Sequence, residues 1–116
     1  PEDEESKRLP FAQAATGAIG VETLLPLSLE MYHNESLPLN KIIETLTINP
    51  AKILKIKKGT LAKGSDGDIC IFDLDAPGKV VADKLKSKSK NTAIEGRNLQ
   101  GKILMTYLNG ELVYSN

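Results

Sequence analysis

A chain of 116 residues suffices for one domain or for part of a larger one. Its 15 basic and 15 acidic residues cancel, which argues against nucleic acid as the main partner, because phosphate binding needs a cationic excess. Hydrophobic content is 41%, aromatics are only 4% and Trp is absent, so the core is expected to be aliphatic; the single Cys70 excludes an internal disulfide and fits a reducing, cytoplasmic setting.

Residues 3–8 are charged and read as solvated. A glycine-marked turn follows, Ala15-Thr16-Gly17-Ala18-Ile19-Gly20, placed before an apolar helix, which is a common place to hold a polar ligand. The spacing predicts that helix over residues 19–34, with Val21, Leu24, Leu25, Leu29 and Tyr32 on one face and Leu27 and Met31 widening it towards full burial. Pro26 lies inside that span, removes a backbone donor and predicts a kink or a restart. A second helix is expected over residues 38–46. Asn49-Pro50 reads as the N-cap and first residue of a third, with Lys55, Lys57 and Lys58 at its C-terminal end and Gly59 as the stop.

Beyond Gly59 the pattern turns to strands. Residues 68–74, DICIFDL, are a dense β run after the turn at 63–67, and residues 79–82 suggest a short strand. Residues 102–115 hold two apolar runs split by Asn109-Gly110, a strong hairpin signal because both turn residues need positive φ. The stretch 84–91, KLKSKSKN, reads as a solvated loop or edge strand. The start shows no secretory pattern, and the most apolar window, 18–32, is broken by Glu22, Pro26 and Glu30 and is too short for a bilayer, so no membrane partner is expected.

The inventory of reactive side chains is thin. His33 stands alone at a predicted helix end and reads as a surface residue, since a zinc site needs three or more converging donors. Cys70 alternates with Ile69 and Ile71 and reads as a packed or half-exposed strand residue, with no neighbouring His to make a thiolate. The acidic run Glu2-Asp3-Glu4-Glu5 reads as solvated rather than metal-binding. No phosphate loop or dinucleotide fingerprint is present. From physics alone, Gly17-x-x-Gly20 fits close helix packing as well as ligand binding.

Taken in order, KRLPFAQAATGAIGVETLLPL, INPAKIL, GTLAKGSDGDICIFDLD and SKSKNTAIEGRNLQGKILMTYLNGELVY resemble the C-terminal part of the dihydroorotases, in the metal-dependent amidohydrolase superfamily. The resemblance implies an α/β fold: the last helices of a (β/α)8 TIM barrel over residues 1–56, then strands of a small composite β-sandwich over 57–116. It implies zinc-dependent, reversible interconversion of dihydroorotate and N-carbamoyl-L-aspartate in pyrimidine (UMP) biosynthesis. Pro1 looks like the end of the family's D-H-x-P motif, so the catalytic Asp and the ligands of both Zn ions are expected upstream, with no catalytic residue and no metal ligand in this chain, which alone would be inactive. The resemblance also implies that Thr16 and Gly17 offer backbone groups to the pyrimidine ring edge, where Gly17 allows close approach. Glu2 falls where the family often has a substrate-binding His, and Ala15 where many relatives have Pro; both depart from the pattern. Implied partners are the rest of the barrel, the substrate, and a homodimer or a complex with aspartate transcarbamoylase. The alternatives are a non-catalytic dihydroorotase-like subunit supporting that transcarbamoylase, and a dihydropyrimidinase or allantoinase. Three short helices and a sheet with open edges carry more apolar surface than they can bury together, which predicts a piece with exposed apolar faces.

Overall fold

The computed structural model describes residues 5–116. A 3-10 turn, Glu5–Lys7, is followed by helices α1 (Leu24–His33), α2 (Leu39–Leu46) and α3 (Ile48–Ile53), then strands β1 (Ile69–Lys79), β2 (Asn98–Leu108) and β3 (Glu111–Ser115). The strands form one antiparallel sheet in the order β1-β2-β3.

Helix α1 begins later than its apolar pattern predicts. Residues 18–20 stay irregular, Thr23 is the N-cap, and Val21 is left outside the helix and exposed. Pro26 therefore lies in the first turn, where a backbone N–H has no intrahelical partner to lose, so neither a kink nor a restart is needed. The end is a Schellman motif: Glu35 (φ 59°) donates to the Tyr32 carbonyl and Ser36 to that of Met31, each at 2.9 Å.

The predicted start of α3 is also corrected. Thr47, shared with the end of α2, is its N-cap, so Asn49 and Pro50 sit inside the first turn, where proline again costs nothing. Gly59 is not the stop. The left-handed residue that ends α3 is Lys55 (φ 55°), and Ile56 donates back to the Ala51 carbonyl at 3.0 Å. Gly59 instead packs on the α2–α3 junction, where a Cβ would lie 2.7 Å from the carbonyl carbon of Thr47.

Strand β1 runs farther than the β pattern predicts. Asp73 Oδ1 accepts from the N–H groups of Asp75 and Ala76, at 3.0 and 3.1 Å, and this local turn makes the register break between Asp73 and Pro77. Pairing then resumes through Lys79, so no separate strand forms over 79–82, and Ala82 opens a 3-10 turn. The hairpin is as predicted, with φ of 52° at Asn109 and 82° at Gly110. Its tip docks on the 63–68 turn: Asn109 N–H donates to Asp68 Oδ1 and Gly110 N–H to the Gly67 carbonyl, each at 2.9 Å. The lysine-rich stretch forms no strand; residues 85–91 are a loop.

Lys58 joins this network, 2.6 Å from Asp68 and 2.7 Å from Asp66. Its hydrogen bond, and then that of Asn109, hold the Asp68 carboxyl below the usual carboxylate range. A carboxylate depressed in the folded state contributes stability above its unfolded value and loses it as pH falls through the folded one. Asp68→Asn is therefore expected to flatten the acid limb of stability below about pH 4, read from denaturant midpoints against pH.

Helix α1 lies on β2. Leu29, fully buried, seats against Gly101, where an added Cβ would come within 2.5 Å of Leu29 Cδ1. Leu99 and Val80 are the other buried aliphatics near this seam, and Ile42 and Ala51 are buried among the helices. Two polar ties reinforce it. Arg97 pairs with Glu30 at 2.8 Å, and His33 Nε2 donates to the Leu74 carbonyl at 3.1 Å. A carbonyl only accepts, so Nε2 carries the proton, and half-buried His33 is a helix-to-strand tie rather than the surface residue predicted.

Much apolar surface stays open. Met31, Tyr32 and Leu24 of α1, which the pattern assigns to burial, are exposed, as are Ile69, Ile71, Met105 and Leu112 of the sheet. Accessible area is 8716 Å², against about 6,200 Å² for a compact monomer of this mass. The radius of gyration is 16.4 Å, against about 13 Å for a compact chain.

Candidate ligand-binding turn

The segment before α1 is organised from three directions. The first is Lys7, whose Nζ donates to the carbonyls of Ala15, Thr16 and Gly17 at 2.6, 2.9 and 2.7 Å. An ammonium has three protons, so this set uses all of them. The second is Asn91: its Nδ2 donates to the Gly17 carbonyl at 2.8 Å, and its own carbonyl accepts from Ile19 N–H at 2.9 Å. The third is Glu22, whose two carboxylate oxygens accept from the N–H groups of Lys86 and Ser87 at 3.0 and 3.1 Å, fastening the lysine-rich loop beside the turn. Thr23, buried, closes the segment by donating to the Gly20 carbonyl at 3.3 Å.

Thr16 and Gly17, the residues singled out in the sequence, sit exposed at the centre of this clamp. Gly17 has φ 85°, with open space where a Cβ would stand. Its carbonyl accepts two hydrogen bonds, which fills both lone pairs, whereas among the described residues the Thr16 carbonyl accepts one and the Gly17 N–H has no partner. Both groups belong to the single Thr16–Gly17 peptide, which is trans, so the N–H points away from the carbonyl that Lys7 holds and is the donor left open. Ala15 uses its N–H on the Ser6 carbonyl at 3.0 Å, a bond a proline there could not make. Glu2 lies outside the described residues.

A cavity of about 170 Å³ lies between residues 18–23 and the loop at Leu85 and Ser87, directly beneath the turn. A larger groove of about 580 Å³ runs between the end of α1 and the sheet, but its ionic wall groups are already engaged, Glu30 by Arg97 and His33 by Leu74. Cys70 is exposed on β1. Among the described residues no three His, Cys, Asp or Glu side chains come together, so these residues do not fit a metal centre.

Sequence reasoning did not single out Lys7, Glu22 or Asn91. Signals existed for two of them: Glu22 belongs to G-x-x-G-x-E-T and Asn91 to S-K-x-x-N-T, motif segments read only as resemblance. Lys7 looked like one more charge in a solvated run.

A family model described as the amidohydrolase family matches residues 11–113. The dihydroorotase of Ehrlichia chaffeensis is 43% identical over 98% of this chain and 26% of its own length. That of Aquifex aeolicus is 42% identical over 89% of this chain and 24% of its own. Among solved structures, a D-hydantoinase superposes with a TM-score of 0.87 at 25% identity, over 97% of this chain and 25% of that one. The L-hydantoinase (dihydropyrimidinase) of Arthrobacter aurescens does so with 0.81 at 36%, over 90% and 24%. The chain spans about a quarter of the length of the curated relatives it matches.

Proposed function

The chain belongs to the amidohydrolase family, and on that premise we propose that it is the C-terminal portion of a dihydroorotase that interconverts dihydroorotate and N-carbamoyl-L-aspartate. The observation that carries this reading is 43% identity to a dihydroorotase over 98% of the chain. Two structural facts support it. The excess exposed area, roughly 2,500 Å², is what a large permanent interface would cover, as expected if α1 to α3 and the open sheet complete a barrel and a β-sandwich with the rest of the polypeptide. The turn at Thr16 and Gly17 also suits the ring. Its exposed Gly17 N–H, without a partner among the described residues, can donate to a carbonyl of a cyclic imide.

The part assigned to these residues is binding and orientation. The zinc ions of the family would be held by residues outside the described part of this chain. Lys7 spends its protons on backbone carbonyls, so it does not read the substrate carboxylate directly. Glu2, at the family's usual His position, would repel that carboxylate, so another residue would have to read it.

A second reading is favoured by the 36% identity to an L-hydantoinase, namely that the cyclic amide hydrolysed is a hydantoin. One assay separates the two. The complete, metal-loaded protein encoded with this chain is expected to turn over dihydroorotate in preference to hydantoin and allantoin. Turnover of hydantoin with dihydroorotate inert would replace the first reading with the second.

A further inference from the structure

Lys7 stands at the end of a 3-10 turn, eight to ten residues before the carbonyls it binds, so it closes a loop over residues 8–14 and pins its far end. We infer that Lys7 is the positioning residue of this site: its ammonium converges three consecutive carbonyls on one point and so fixes the Thr16–Gly17 peptide plane with the Gly17 N–H turned away from Lys7, a preformed donor for a carbonyl of the cyclic imide, without touching the ligand. The inference rests on the functional reading above for the identity of that ligand.

The geometry supports each part. Three consecutive carbonyls aimed at one point repel one another unless a cation sits among them, and Lys7 supplies it at 2.6 to 2.9 Å. Once those carbonyls are turned to Lys7, the planarity of each peptide fixes the direction of the N–H across the same bond. The Thr16 carbonyl sets the Gly17 N–H in this way, so the group left to donate to a ligand is aimed by Lys7. Asn91 adds a second hold on the Gly17 carbonyl from the loop before β2, and that bond removes the Gly17 oxygen from the acceptors open to a ligand. The specificity that results is for an acceptor at Gly17, a ring carbonyl and not a ring N–H.

The test compares Lys7→Met, Lys7→Arg and Asn91→Ala in the complete protein, by amide hydrogen exchange and by steady-state kinetics on dihydroorotate. Lys7→Met is expected to speed exchange at Ala15 and Ile19, whose N–H groups bond to the Ser6 and Asn91 carbonyls, about tenfold while α1 and the sheet keep their protection. It is expected to raise KM about tenfold with a much smaller change in kcat. Lys7→Arg keeps the charge, but a guanidinium cannot aim three protons from one nitrogen, so it is not expected to rescue either readout. Asn91→Ala, expected to raise KM severalfold, carries the test with Lys7→Arg should Lys7→Met fail to fold. Unchanged exchange at Ala15 and Ile19 in Lys7→Met and Lys7→Arg would overturn the inference. Full rescue by arginine would overturn it too, because charge alone would then suffice. If the unsubstituted protein does not act on dihydroorotate, the functional reading fails instead, and exchange at Ala15 and Ile19 still decides whether Lys7 positions the turn.

Discussion

Replacing Gly17 by valine in the complete protein is expected to lower kcat/KM for dihydroorotate by on the order of a hundredfold, with the melting temperature shifted by only a few degrees. The two effects separate because of what surrounds the residue. At φ 85° a β-branched side chain is strongly disfavoured, yet nothing lies within 4 Å of where its Cβ would stand. No clash with the core arises, so folding loses little. The strain is relieved by rotating the adjoining peptides, which swings the Gly17 N–H away from the ligand. A hundredfold corresponds to about 2.7 kcal/mol, comparable to losing one hydrogen bond and leaving its partner unpaired in a site that excludes water. Asparagine, which visits the left-handed region more readily than other residues, is expected to retain most of the activity. Valine with unimpaired kcat/KM would show that these peptide groups do not meet the substrate.

Gly59→Ala carries the largest expected effect on stability, a loss of about 3 kcal/mol read from denaturant midpoints. Here φ is 77° and the surroundings are the reverse of those at Gly17. An added Cβ would meet the Thr47 carbonyl carbon at 2.7 Å, its oxygen at 2.8 Å and the Ile48 nitrogen at 2.9 Å. All three are backbone atoms at the junction of α2 and α3, so no side chain can rotate aside. Either the 57–60 segment lifts off or the two helices part, and Ile42 and Ala51 lose part of their burial. An effect under about half a kcal/mol would mean that this segment does not pack on the helix junction as described.

These two glycines show where sequence reading succeeds and where it stops. The hairpin at Asn109 and Gly110 was legible because the local demand, two positive φ angles in a row, is met by few residue pairs. Helix α1 was legible as apolar periodicity, α2 within a residue of its expected bounds and α3 from Asn49-Pro50, but the starts of α1 and α3 were not. Proline in a first turn looks the same in sequence as proline at the first position or in a helix interior, and only capping by Thr23 and Thr47 distinguishes them. The stop of α3 was assigned to Gly59 because glycine dominates such positions, whereas Lys55 took the left-handed conformation and Gly59 served a contact distant in sequence. The continuation of β1 through Pro77 depends on a side-chain turn at Asp73 that periodicity does not reveal. In the candidate site, Thr16 and Gly17 were visible through a glycine pattern and a family resemblance. The residues that hold them were not, because Lys7, Glu22 and Asn91 act across separations of 8 to 74 residues. Charge and amide side chains leave no periodic trace at that range.

The account turns on whether the turn clamped by Lys7 and Asn91 forms one wall of a substrate pocket completed by the rest of the polypeptide. A crystal structure of the complete protein with dihydroorotate bound measures this directly. The account predicts a ring carbonyl within hydrogen-bonding distance of the Gly17 N–H, with Lys7 Nζ still on its three carbonyls. A ligand seated elsewhere, with these peptide groups facing solvent, would contradict it.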